Sequence, residues 1–371
     1  MNHKWINDLW EKIERKLSVN AKEIGVHFPS HTNKQGKLIE YGSDMGISSW
    51  TNGFWPGIMW LAYKETRKNI YKDIAIRCEE LLDEAFVSFK HLNHDVGFMW
   101  IPTSIFHYKE DGNEDSKNRA LHAATILAGR FNYNAKLIRA WNFDIPNWAI
   151  IDCMMNIPLL YWASEVENDP RYQKVAMMHA DTALNTFIRP DGSVNHIVEF
   201  DVETGEVKGT PAGQGYASGS SWSRGQAWAI YGFVLSYIKT GKVEYLDAAK
   251  KVAHYFIANL DETGIADVDF RAPKAEDLKD ASASAVAACG LIELSKVVPE
   301  DEKELYLQWA IKIVKGIEKV CDFSNNTPLI VQHCTIKYHG TEYGRDISLI
   351  YGDYYFIEAV LKLKGQDVFF G

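Results

Sequence analysis

Apolar positions along the chain recur with a helical period, in two distinct ways. In stretches such as Tyr71–Leu82 (YKDIAIRCEELL) and Tyr245–Phe256 (YLDAAKKVAHYF) they fall three or four residues apart. Such segments are amphipathic helices that bury one face. In Asn147–Trp162 and Trp222–Ile238 apolar residues cover nearly the whole circumference, which predicts helices buried on most sides. The two kinds alternate: five times an aromatic-rich stretch ends at a tight polar turn, near residues 68, 112, 169, 241 and 299, and an amphipathic helix begins within a few residues. Adding an amphipathic opening helix over about 3–25 and a final apolar helix over about 346–363 gives six outer and six inner helices. The expected fold is all-α, an (α/α)6 barrel occupying residues 1–371 as a single domain.

Turns from inner to outer helices are short, whereas the outer-to-inner connections are long: roughly 26–50, 92–97, 131–146, 189–220, 261–278 and 321–345. The long loops therefore gather at one end, above the N-termini of the inner helices, and long loops on a rigid scaffold are where sites are built. Inner-helix N–H groups and dipoles aimed into that mouth suit an anionic ligand. One loop carries a small β-hairpin: Asp191-Gly192 leads into the alternating run Ser193–Phe200, and Glu203-Thr204-Gly205 turns it back.

Charge narrows the function. The 371 residues hold 40 basic and 49 acidic side chains, a net charge of −9, with no run of Lys or Arg, so no nucleic-acid partner is expected. Early charges at Asp8, Glu11, Lys12, Glu14 and Arg15 exclude a secretory signal, and the apolar runs are too short to span a membrane. Five cysteines without a Cys-x-x-Cys pair fit reduced thiols in a cytoplasm and argue against structural zinc. Twelve Trp and 18 Tyr exceed what a core of this size needs, so some line a pocket.

Within that frame a few polar residues stand out. Asp152 interrupts an apolar stretch, in line with Trp148 and Asn156 on one helical stripe, and Pro158 is expected to bend the helix nearby. Asp152 is either a helix N-terminal charge or a tuned acid/base group. Asp95, in the loop opening the second inner helix, reads alone as an N-cap; two acids at equivalent barrel ends share one cavity, and a like charge keeps one of them protonated. Arg224 in the first turn of a buried helix needs an anionic partner, either a structural acid or a ligand carboxylate. Trp50 and Trp228 offer faces on which a sugar ring stacks, or are core. His91, His94 and His196 show no metal-ligand spacing, and no dinucleotide, Walker or Gly-x-Ser-x-Gly motif occurs, so neither metal nor cofactor is expected.

The stretches Ser49–Gly57 (SWTNGFWPG), His94–Phe98 (HDVGF), Ile151–Asn156 (IDCMMN), Ser223–Gly232 (SRGQAWAIYG) and Ser348–Glu358 (SLIYGDYYFIE) together resemble the unsaturated glucuronyl hydrolases of glycoside hydrolase family 88. The resemblance implies an (α/α)6 barrel that works without metal. It implies Asp152 as general acid/base and Asp95 as second catalytic aspartate. His196, Gln214, Arg224 and Trp228, with Trp50, would hold the unsaturated uronate of lyase-generated oligosaccharides. Hydration of the C4=C5 bond would then release the neighbouring sugar. A hydrolase for unsaturated galacturonyl residues of pectin fragments, a non-catalytic glycan-binding barrel and an isomerase-type barrel are the alternatives. The loop Gln332–Arg345, with Lys337, His339 and Arg345, is expected to border the subsite of the leaving sugar.

Overall fold

The computed structural model describes residues 3–41, 45–142, 147–274, 278–340 and 344–368. Helices α1 (His3–Ile24), α2 (Phe54–Thr66) and α3 (Asn69–Ser88) open the chain. A broken helix follows, made of α4 (Val96–Trp100), a π turn (Ile101–Ile105) and α5 (Phe106–Asp111). Then come α6 (Glu114–Ala128), α7 (Pro158–Glu167), α8 (Pro170–Thr186), α9 (Ser223–Thr240), α10 (Val243–Ala258), α11 (Ala281–Val297), α12 (Glu300–Val320) and α13 (Ile350–Leu363). Pro102, which lacks the N–H a continuous helix requires, sits in the π turn.

The alternation of wholly apolar and one-sided helices becomes two concentric rings. Every residue of α13 is buried, as are residues 281–295 of α11. In the outer helix α3 burial is confined to a stripe of Tyr71, Ile74, Ala75, Cys78, Glu79, Leu82 and Ala85. Inner helices α9, α11, α13 and α2 pack in succession, and each inner helix lies against the outer helix that follows it. The ring closes where the backbone of Thr32 donates to the Ser348 carbonyl (3.0 Å) and Ser348 N donates to Thr32 Oγ1 (3.0 Å).

The five inner-to-outer junctions fall where expected. Arg67, Gly112, Asn168 and Gly241, each in the left-handed region, end α2, α5, α7 and α9, and Pro299 stands directly before α12. Short strands decorate the opposite end: β1 (Pro29–Thr32) pairs with β2 (Leu38–Glu40), and β3 (Phe131–Asn132) with β4 (Leu137–Ile138). A three-stranded antiparallel sheet joins β5 (Trp148–Ile150), β6 (Ile197–Phe200) and β7 (Val207–Gly209). The expected hairpin is therefore present, enlarged by one strand.

That extra strand corrects the inner helix expected over Asn147–Trp162. Residues 148–150 are extended, Ile151–Met155 form a 3-10 turn, and the α-helix begins only at Pro158. The β-branched and aromatic run pairs with β6, Ala149 opposite Val198, and Pro158 takes the first helical position, where a missing N–H loses nothing. Trp148, Asp152 and Asn156 consequently share no helical stripe, and Pro158 bends no helix.

Candidate active site

The long connections converge on an open cleft with a cavity volume of about 250 Å³ at the N-terminal ends of the inner helices. Trp50 and Thr51 before α2, Asp95 before α4, Asp152 before α7 and Tyr351 in the first turn of α13 all line it, as do Gln214 and Ile336.

Two loop segments carry the acids and are locked together. Gly97, two residues after Asp95, lies against Asn156; a Cβ there would stand 2.5 Å from the Asn156 Cα and 2.6 Å from its Oδ1. Through that contact Phe98 N donates to Asn156 Oδ1 (2.9 Å), and Asn156 Nδ2 donates to the Asp152 carbonyl (3.2 Å). Burial and the charge of Asp152 push the Asp95 carboxyl up to about 8, tempered by Arg130 and by a hydrogen bond from Asn156. Asp95 therefore holds a proton at neutral pH. Of the two acids, Asp95 is the one that burial and its neighbour's charge drive toward the neutral form, in keeping with one member of the pair holding a proton.

Two histidines face the acids. His94 Nε2 stands 3.4 Å from Asp95 Oδ1, and burial lowers its pKa to about 3, so it is neutral. His196 Nδ1 accepts from the backbone N–H of Gln214 (2.9 Å), which leaves the ring proton on Nε2, 3.5 Å from Asp152 Oδ1. Neither His196 Nε2 nor Asp152 Oδ1 has a hydrogen bond in the chain. Both are polar atoms held in readiness beside the cleft.

Gln214 is placed by its loop. Asp269, buried in the loop before α11, accepts from the backbone N–H of Tyr216 (2.9 Å) and Ser221 (2.9 Å) and from Ser220 Oγ (2.7 Å), and Gln214 Nε2 donates to the Ile336 carbonyl (2.7 Å). Trp50 meets Tyr351 (centroids 4.9 Å apart) and Phe98 (5.1 Å), forming an aromatic wall.

Arg224 and Trp228 lie beneath this floor and not on it, 1% and 0% exposed. The Arg224 guanidinium pairs with Asp280, donates to the carbonyls of Thr335 (2.7 Å) and Ile336 (2.7 Å), and stacks on Trp222 and Tyr351. Of the two partners open to Arg224, the structure supplies the structural acid. Trp228 packs between Phe98 and Tyr355. Of the loop Gln332–Arg345, Ile336 is the residue that lines the cleft among the described residues, and 341–343 lie outside them. His31, Lys90, His91, Trp141 and Asn142 also line it and were not expected. Among the described residues no three His, Cys, Asp or Glu side chains converge as a metal site, and no helix is long and apolar enough to cross a membrane.

Two carboxyl groups at the floor of an aromatic-walled cleft, in a double ring of helices, define a carbohydrate-cleaving barrel enzyme. Residues 22–367 match the model of glycosyl hydrolase family 88. The chain is 33% identical to the unsaturated glucuronyl hydrolase of Bacillus sp. strain GL1 over 355 residues, 93% of each chain. It is 32% identical to the unsaturated chondroitin disaccharide hydrolase of Streptococcus agalactiae, covering 96% of this chain and 91% of that one. The crystal structure of the S. agalactiae unsaturated glucuronyl hydrolase superposes with a TM-score of 0.92 at 29% identity, over 100% of this chain and 94% of that one. The chain belongs to glycosyl hydrolase family 88.

Proposed function

We propose that this protein releases the 4,5-unsaturated glucuronyl residue from lyase-generated glycosaminoglycan oligosaccharides by hydrating its C4=C5 bond. The observation that carries the reading is a pair of carboxyls, Asp95 and Asp152, lining one open cleft, with Asp95 driven toward its protonated form by burial and by the charge of Asp152. An enol ether is protonated at C4. In this reading Asp95 stores the proton and Asp152 delivers it. Asp152 as carboxylate then takes a proton from the water whose oxygen bonds to C5. The C5 hemiketal opens and expels the neighbouring sugar, so no displacement occurs at C1, and the spacing of the acids carries no inverting or retaining outcome.

His196 Nε2–H and Gln214 hold the uronate, with Trp50 and Tyr351 against the ring. Arg224 and Trp228 serve by positioning Ile336, Tyr351 and Phe98 from below. The named relatives support this substrate: a variant of the S. agalactiae enzyme is known in complex with dGlcA-GalNAc6S. Residues 1–371 act as one catalytic domain, and five unpaired thiols fit a cytoplasmic setting. The test is the absorbance of the unsaturated uronate on mixing with chondroitin, hyaluronan and pectin lyase products. Loss of the band with the first two supports the reading; loss with pectin fragments alone, or with none, overturns it.

A further inference from the structure

Asp95 ends a segment of turns that belongs to no helix or strand. Phe89 takes a positive φ of 47° and turns the chain sharply out of α3, so residues 90–95 depend on their neighbours for their place. One side chain, in the turn between α6 and β3, supplies most of that hold. Arg130 Nη2 donates to the Ala140 carbonyl (2.8 Å), and the same carbonyl accepts from the backbone N–H of His94 (3.2 Å), the residue before Asp95. Arg130 Nη1 donates to Asn142 Oδ1 (2.6 Å), and Asn142 Nδ2 donates in turn to the carbonyls of Lys90 (3.1 Å) and Leu92 (2.7 Å). Arg130 Nε donates to the Arg139 carbonyl (2.9 Å), and Arg139 N donates back to the Arg130 carbonyl (3.0 Å), so the staple is itself anchored.

Every acceptor on this guanidinium is neutral, and among the described residues no carboxylate pairs with it. Burial and the neighbouring Arg139 lower Arg130 to about 10, so it stays charged at neutral pH, and the carboxylate its field reaches is Asp95. Asp152 acts on Asp95 in the opposite sense. The other titratable groups nearby are the Cys153 thiol and His94, both kept neutral by burial, with His196 beyond His94 and Lys90 and His91 exposed on the same segment. With burial and Asp152 alone Asp95 would grip its proton; a cation behind it loosens that grip, and a proton carrier works best when its acidity lies near the working pH.

We propose that Arg130 is a positioning residue for the reaction, one that fixes the 90–95 segment through Ala140 and Asn142 and whose unneutralised charge sets how readily Asp95 yields its proton. The inference rests on the function proposed above.

The experiment records kcat and KM on an unsaturated disaccharide across pH for wild type, Arg130→Gln, Arg130→Lys and Asn142→Asp, with Arg77→Gln, an exposed position on α3, as a charge control. In Arg130→Gln kcat falls about tenfold or more, the scale of a displaced catalytic group, with KM little changed. Its alkaline limb moves up by about one pH unit, the low end of what one opposite charge does to a carboxyl. Arg130→Lys restores the charge but not the fork, so its kcat stays low while its limb returns to the wild-type position. Asn142→Asp leaves the guanidinium in place and sets a carboxylate against it, so the limb moves up as in Arg130→Gln, and this variant carries the test if Arg130→Gln does not fold. A limb that stays in place in Arg130→Gln or in Asn142→Asp, or that moves equally in Arg77→Gln, overturns the inference. Wild type inert on the disaccharide overturns the function reading by itself, and carbon-13 NMR of labelled aspartates then decides the role of the charge. The Asp95 midpoint, identified by its loss in Asp95→Asn, is higher in Arg130→Gln than in wild type if Arg130 acts on it, and an unchanged midpoint overturns the inference.

Discussion

Asp152→Asn keeps the shape of the side chain and the backbone carbonyl that Asn156 caps, and removes the proton carrier. Turnover should fall by ~10²–10⁴, with disaccharide binding retained by calorimetry; a rate within a few-fold of wild type would exclude Asp152 as the donor. Asp95 makes a different prediction because its carboxyl is shifted up to about 8. If the dyad's proton is the one used, wild-type activity declines as pH rises through about 8, and Asp95→Asn, a fixed neutral isostere, loses that limb along with most of its rate. Stability also falls as pH rises, over a wider window. An acid whose folded pKa is raised contributes stability below its unfolded value, near 4, and loses it as pH rises towards 8. The Tm of Asp95→Asn relative to wild type should therefore climb across that window, and a constant difference would place the proton elsewhere. Both acids were legible in the sequence, Asp152 because it interrupts an apolar stretch and Asp95 because it opens an inner helix at the same end of the barrel. Which of the two is driven toward the neutral form was not, since it depends on burial, on the charge of Asp152 and on the opposing charge of Arg130, none of which is local to Asp95 in the sequence.

At the scale of elements, the contact between the two acid-bearing segments is a backbone packed against a side chain. Gly97→Ala pushes a methyl into Asn156 Cα and Oδ1, so the α4 start and the 151–155 turn must separate. Overpacking of this kind costs about 1–3 kcal/mol, read as a lower urea midpoint, and activity should drop more than stability because the Phe98 N–H to Asn156 bond is lost. Wild-type activity in Gly97→Ala would show that the two segments are positioned independently. The junction turns were readable because Gly, Asn-Asp-Pro and Val-Val-Pro sequences punctuate helices locally. The strand Trp148–Ile150 was not, because an apolar run of four residues has no period of its own and its partner β6 lies some fifty residues on. Lys90, Trp141 and Asn142 were missed for a related reason: their place on the cleft is set by the Arg130–Asn142 staple between two loops, and no spacing announces it.

Across the whole molecule, Arg224 ties together three sectors of the ring: its own helix α9, Asp280 at the start of α11, and the carbonyls of Thr335 and Ile336 that precede α13. Arg224→Ala leaves Asp280 buried without its cation, a loss of about 3–5 kcal/mol, and Arg224→Lys should recover little of it because a single nitrogen cannot reproduce the planar fork that reaches Asp280 and Thr335 from one nitrogen and Ile336 from the other. Thermal unfolding measures both; a stable Arg224→Ala with raised KM alone would return Arg224 to direct contact with the ligand. The two rings were legible as a pattern of one-sided and all-round apolar helices, whereas the closure between Thr32 and Ser348 joins segments that no local signal relates. The ring also divides labour between its ends. At one end the five junctions are two residues long and four of them are sealed by a left-handed residue, so an insertion there would disturb the circumference. At the other, the connections run through small sheets and long loops outside the two rings, and they have more freedom to lengthen, shorten or exchange charges. Divergence in such a molecule is therefore channelled: descendants can acquire new diets by redrafting the rim while inheriting the same reaction.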